Sequence, residues 1–95
     1  MTAYVIVQTY VSDPAGMEEY KRLAYDAVQK FGGKYLSRGG AMEHVEGDWD
    51  VPRLVLLEFP SAARAKEFYE SPDYTAARKA REGKARFVMT LLEAT

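Results

Sequence analysis

The chain has 95 residues, 13 of them basic and 14 acidic, with one histidine, one tryptophan, no cysteine and a net charge of −1. That length admits one domain with one core, covering residues 1–95. The lack of cysteine excludes disulfides, thiolate metal sites and a cysteine nucleophile, and the interleaved charges form no basic stripe of the kind a nucleic-acid footprint needs.

No apolar run approaches the roughly 20 residues that span a bilayer, and Met1 to Val11 carries no positive region ahead of its apolar stretch. The expected setting is the cytoplasm, with neither membrane nor nucleic acid as a partner.

Ala3 to Val11 (AYVIVQTYV) is β-branched and aromatic and is bounded by Ser12, Asp13 and Pro14, which predicts a strand and a turn. Asp13 can cap a helix opening at Pro14, with Glu18 and Glu19 at the positive end of its dipole. Met17, Tyr20, Ala24, Ala27, Val28 and Phe31 then form one apolar stripe, and Gly32 with Gly33 stops the helix. Lys34 to Arg38 reads as a short strand, interrupted at Gly39 and Gly40 and resumed from Ala41 to Glu46. The paired glycines predict a bulge with positive φ in one broken strand.

Gly47, Asp48, Asp50 and Pro52 cluster as a turn, and Arg53 to Pro60 (RLVLLEFP) is a compact apolar strand completing a hairpin. Ser61 can cap a second helix to about Glu70 with Ala62, Ala65, Phe68 and Tyr69 on one side, and Ser71 with Pro72 breaks it. Pro72 opens a further helical segment to about Arg81, with Tyr74, Ala77 and Arg81 on one face. Gly83 ends it ahead of a strand from Ala85 to Glu93.

The order is βαββαβ with an extra short helix, an α+β, ferredoxin-like plan in which an antiparallel four-stranded sheet carries its helices on one face. A sheet with one wet face alternates apolar and polar residues. These strands are apolar on both sides. Val5, Val7, Val55, Leu57 and Phe59 make one set, and Tyr4, Ile6, Tyr10, Leu54 and Leu56 the other. Helices over the first set leave the second exposed, and packing of two sheets into a homodimer is the simplest cover.

The runs GGKYLSRGG (Gly32 to Gly40), EGDW (Glu46 to Trp49), LEFPS (Leu57 to Ser61) and FYESPDY (Phe68 to Tyr74) resemble the bacterial family known as domain of unknown function 1330. The resemblance covers nearly the whole chain, with Lys34 standing where an arginine is common in that family. It implies a dimeric α/β barrel built by two ferredoxin-like subunits. Its superfamily spans cofactor-independent monooxygenases, heme-degrading, dehalogenating and lactone-forming enzymes, and proteins that only bind, so the fold alone selects no reaction.

His44, the only histidine, reads either as a surface residue beside a turn or as a general base or heme ligand. Arg38, ahead of Gly39 and Gly40, is a subunit-contact arginine or the anchor of an anion held by the bulge. A hairpin register with residue numbers summing near 99 sets Glu58 against Ala41 and brings Arg38 within reach of Glu58. Glu58 shares a face with Leu54 and Leu56 and, on a neighbouring strand taken as parallel, with Tyr4, Ile6 and Gln8. A carboxylate there serves in a salt bridge or as an acid or base with a raised pKa. Tyr69, Tyr74 and Arg78 surround the Ser71–Pro72 break, where a helix N-terminus could meet a ligand carboxylate or where the tyrosines simply pack. Trp49 stacks on a ligand or partner, or covers the strands.

Together these readings describe a homodimer binding a small apolar or aromatic acid between sheet and helices, without cofactor or metal. The ligand residues are Arg38, Gly39, Gly40, Glu58, Tyr69 and Tyr74, and the catalytic candidates are Glu58, Arg38 and His44. The alternatives are a cofactor-independent enzyme, monooxygenase-like or isomerase-like, and a non-catalytic structural or stress-related interaction protein.

Overall fold

In the computed structural model, which describes residues 1–95, the strands are β1 (Ala3–Val11), β2 (Lys34–Arg38), β3 (Arg53–Phe59) and β4 (Ala85–Glu93). The helices are α1 (Glu18–Lys30), α2 (Ala62–Glu70) and α3 (Pro72–Ala80). The strands form one antiparallel sheet in the order β2-β3-β1-β4, the ferredoxin-like arrangement. No helix is long and apolar enough to cross a membrane.

Alternation along β1 and β3 sends Val5, Val7, Val55, Leu57 and Phe59 under the helices, where they are buried with Ala24, Ala27, Val28, Ala65, Phe68, Tyr74 and Ala77. Burial of each larger apolar side chain contributes about 1.5–3 kcal/mol. The alanines on all three helices bring the backbones close, and the rings of Phe59, Phe68 and Tyr74 fill the centre, with centroids 5.0 and 4.5 Å apart along that series. The opposite face keeps Tyr4, Ile6, Tyr10, Leu54 and Leu56 half-buried, with Val88 and Leu92 exposed.

The helix ends follow from capping chemistry. Asp13 accepts a hydrogen bond from the Gly16 amide (3.1 Å), but the turn it caps, Ala15–Met17, is a 3₁₀ turn, and the α-helix begins only at Glu18. Ser61 Oγ accepts from the Arg64 amide (3.1 Å). Ser71 joins α2 to α3: its buried hydroxyl donates to the Phe68 carbonyl (2.7 Å) and accepts from the Tyr74 amide (3.1 Å). Pro72 at the first position of α3 lacks the N–H that the turn would leave unpaired.

The β2–β3 hairpin differs from the sequence reading in three respects. Residues 41–46 are not strand, because β2 pairs Arg38 with Val55 and leaves almost nothing of β3 for a longer partner. The bulge lies between Tyr35 and Ser37, not at the glycines; Gly39, at φ +78°, ends the strand, and its amide donates to the Leu54 carbonyl (3.0 Å). The register sets Glu58 against Lys34, not Ala41. β1, moreover, runs antiparallel to β3, with Tyr4 opposite Glu58, so Glu58 keeps the expected face beside the wrong strand direction.

Candidate functional site

The bulge has a consequence for chemistry. Ahead of it Lys34 and Glu58 lie on the open face, 3.6 Å apart as an ion pair; after it Arg38, opposite the buried Val55, is turned to the helix side. There its guanidinium stacks 4.7 Å from the Tyr35 ring and 5.5 Å from that of Tyr25. Arg38 and Glu58 therefore occupy opposite faces of the sheet, and the pair expected between them does not form. Beside Arg38, Arg53 donates to the Arg38 carbonyl (3.5 Å), and its Nε lies 2.6 Å from where a Cβ on Gly39 would stand. Gly39 thus serves both the left-handed turn and the seat of Arg53.

Between the helices and the covered face lie two cavities that share Phe68, Phe87 and Met89 as a wall. The larger, about 390 Å³, runs under α2 along β4 and is also lined by Val5, Tyr69, Arg81 and Leu91. The narrower, about 50 Å³, lies at the α1 side and takes in Tyr20, Tyr35, Arg38, Arg53 and Tyr74.

Arg81 closes α3 at the wall of the larger cavity. Its guanidinium lies 4.0 Å from the Phe87 ring centre and 5.6 Å from that of Tyr20. Its Nε–H is buried and donates to no partner, and no carboxylate forms an ion pair with Arg81. One turn earlier Arg78 donates to the Tyr69 hydroxyl (3.2 Å) and to Thr75 Oγ1 (3.4 Å), and its Nε is likewise buried without a partner. Both side chains are partly exposed, but a buried N–H without a partner is costly, and this side of the molecule holds two.

Facing Arg81, the Tyr20 and Tyr74 hydroxyls are 2.6 Å apart, and Tyr74 reaches Met89 Sδ at 3.6 Å. Burial raises both phenols, and Tyr35 as well, above the ordinary tyrosine range; for Tyr20 the Tyr74 neighbour adds to the rise, while Arg81 opposes it in both members of the pair. These groups are neutral hydrogen-bond donors and acceptors at physiological pH, not bases.

Of the residues read from sequence, Tyr69 lines the larger cavity and Tyr74 and Arg38 the narrower one, while Gly39 holds the turn beside them. Gly40 is exposed, its amide donating to Ser37 Oγ (3.4 Å). Glu58 is on the other face, and His44 lies in the exposed connection before β3 beside Trp49, lining only an open hollow. The start of α3 is filled by Ser71 Oγ, which takes the Tyr74 amide that a ligand carboxylate would need. Arg81 and Tyr20, read only as members of helical stripes, are the residues the cavity adds. Their signal was a cation on the apolar face of α3, about two turns after Tyr74.

The family described as Domain of unknown function (DUF1330) matches residues 2–95, and the chain belongs to it. No curated protein matches. Among solved structures, a protein of unknown function from Rhodopseudomonas palustris is similar at 19% identity and TM-score 0.75, over 99% of this chain and 82% of that one. SnoaB, a cofactor-independent oxygenase from Streptomyces nogalater, is similar at 10% identity and TM-score 0.67, over 99% and 93% of the two chains. A dimeric ferredoxin-like protein of unknown function from a Jannaschia species is similar at 13% identity and TM-score 0.65, over 99% and 100%. At these identities the likeness is one of fold.

Proposed function

We propose that this member of the DUF1330 family binds a small apolar or aromatic acid in the cavity under α2, with Arg81 as the anchor of its carboxylate, and that it does so as a homodimer joined through the open sheet face. The observation that carries the reading is Arg81: a guanidinium laid on Phe87, with a buried Nε and no acid partner, at the wall of a cavity of about 390 Å³. Sites for small ligands occupy about 300 Å³ or more, apolar with a few convergent polar groups, and arginine holds carboxylates through paired charge-assisted hydrogen bonds. Phe68, Phe87, Met89 and Leu91 supply the apolar wall. The dimer draws its support from the apolar open face and from the dimeric relative of the same fold.

The Tyr20–Tyr74 pair favours a second reading, in which the bound acid is also turned over without cofactor. Phenols held neutral donate hydrogen bonds to an oxygen that gains negative charge, as an enolate or phenolate does during oxygenation or isomerisation.

Calorimetric titration with 2-naphthoate and its uncharged amide tests the binding reading. The carboxylate is expected to bind at least tenfold more tightly than the amide, and Arg81→Gln to remove that preference, whereas Arg64→Gln, whose guanidinium pairs with Glu67 on the surface, leaves it intact. Equal affinities in the wild-type protein, or a preference that survives Arg81→Gln, overturn the reading.

A further inference from the structure

Residues 39–52 join β2 to β3 without helix or strand, and no hydrogen bond within the chain holds residues 41–52. Connections longer than about 12 residues with no structure of their own are uncommon in compact folds and usually serve a function or are disordered. This one displays large apolar side chains to solvent: Val45 is 95% exposed, Trp49 42% and Met42 40%. It also carries Glu43, Glu46, Asp48 and Asp50, none of which forms an ion pair.

The open sheet face has the opposite deficit. Its strands carry the cations Lys34 and Arg86. Lys34 is paired with Glu58, but Arg86 lies over the Tyr10 ring at 4.0 Å with no carboxylate. Covering this face with a second subunit would remove water from Arg86 and leave its charge unmatched. The face also narrows toward one edge, since β2 has only 5 residues and β3 has 7, against 9 in β1 and in β4.

We propose that residues 41–50 are an arm by which one copy of the chain clasps a second, laying Met42, Val45 and Trp49 on it and pairing its carboxylates with Arg86 of the partner subunit. The arm adds apolar contact area beside the β2 edge and supplies the missing charge. The fold permits the contact: Arg53 at the root of the arm is level with Thr9 and Phe87, so Arg86 sits at the same end of the sheet. A two-fold axis along the strands lays β4 of one copy over β2 of the other and brings that end of β4 to the arm. The proposal rests on the sheet-face dimer.

Charge reversal in two proteins tests it. Arg86→Glu and the arm variant Glu43→Lys, Glu46→Lys, Asp48→Lys each oppose like charges at both symmetric contacts, whereas an equimolar mixture of the two restores attraction at both. Sedimentation velocity across a dilution series is expected to give a dimer weakened at least tenfold in each variant alone and a heterodimer near wild-type strength in the mixture. Wild-type dimerisation in either variant, or a mixture as weak as its components, overturns the arm while leaving the sheet-face dimer standing. A wild-type protein that is monomeric throughout overturns both. All the substituted side chains are exposed, and circular dichroism checks that each variant is folded.

Discussion

On the covered face of the sheet, Val5, Val7, Val55, Leu57 and Phe59 are sealed by helices of the same chain, whereas on the open face Ile6, Leu54 and Leu56 are only half-buried and Leu92 remains exposed. Both faces are apolar, so hydrophobicity does not separate them, and each carries a cation laid on an aromatic ring without an ion-pair partner, Arg86 on Tyr10 on the open face and Arg81 on Phe87 on the covered side. The surroundings of those cations separate them. Arg86 is an exposed side chain on a bare face, whereas Arg81, at the wall of a cavity beside two buried phenols, has a buried Nε without a hydrogen-bond partner. Apolar surface needs only a cover of the right shape, whereas a guanidinium whose Nε is buried without a partner suits an anion, and on that ground the proposed ligand is placed on the covered side.

The largest effects should separate the faces by what they disrupt. Phe68→Ala, which removes a ring packed between Phe59 and Tyr74, is expected to cost about 3–5 kcal/mol in urea unfolding. Leu56→Asp on the open face is expected to change unfolding of the isolated subunit by less than about 1 kcal/mol, yet to weaken the dimer about a hundredfold or more in light scattering. A Leu56→Asp protein that dimerises like wild type assigns the interface elsewhere.

Next in size is a pH effect confined to the covered side. Tyr20, Tyr35 and Tyr74 have raised pKa values in the folded state, chiefly from burial, so above about pH 10 the unfolded chain releases phenolic protons that the folded chain retains. Their contribution is fully present below that pH and lost as pH rises, by up to about 1.4 kcal/mol per pH unit for each phenol. Tyr20→Phe should make the decline shallower; an unchanged slope between pH 10 and 12 would show that this phenol is not protected.

The smallest effect belongs to the open face. Lys34→Ala is expected to shift stability of the subunit by only about 0–1 kcal/mol, since its Nζ end is exposed and the pair is partly solvated. A loss above about 2 kcal/mol would mean that the two faces do not differ in this way.

The same physics decides what could be read from residues alone. The bounds of β1 and β4, the Ser61 cap and the two apolar sets follow from local chemistry and period-two alternation, and they agree with the structure; Ser71, read only as a helix breaker, also caps α3. The β2–β3 hairpin departs from its sequence pattern because AMEHVE, from Ala41 to Glu46, alternates like a strand but has no partner once Arg38 meets Val55. One bulged residue near Leu36 then reversed the face of Arg38. Glu58 lost its expected partner for the same reason. Arg81 was visible as a cation on an apolar helical stripe, but its role depends on Phe87 and Tyr20, which reach it from other elements.

Methionine provides natural probes of both regions: Met89 and Met17 line the cavities beneath the helices, whereas Met42 lies on the exposed arm. In a methyl-labelled NMR titration at constant protein concentration, 2-naphthoate is expected to move the Met89 signal saturably while Met42 stays in place, and Arg81→Gln should abolish the shift. A Met89 signal that does not move, or an unaltered titration in Arg81→Gln, would contradict the assignment of the acid to the Arg81 cavity.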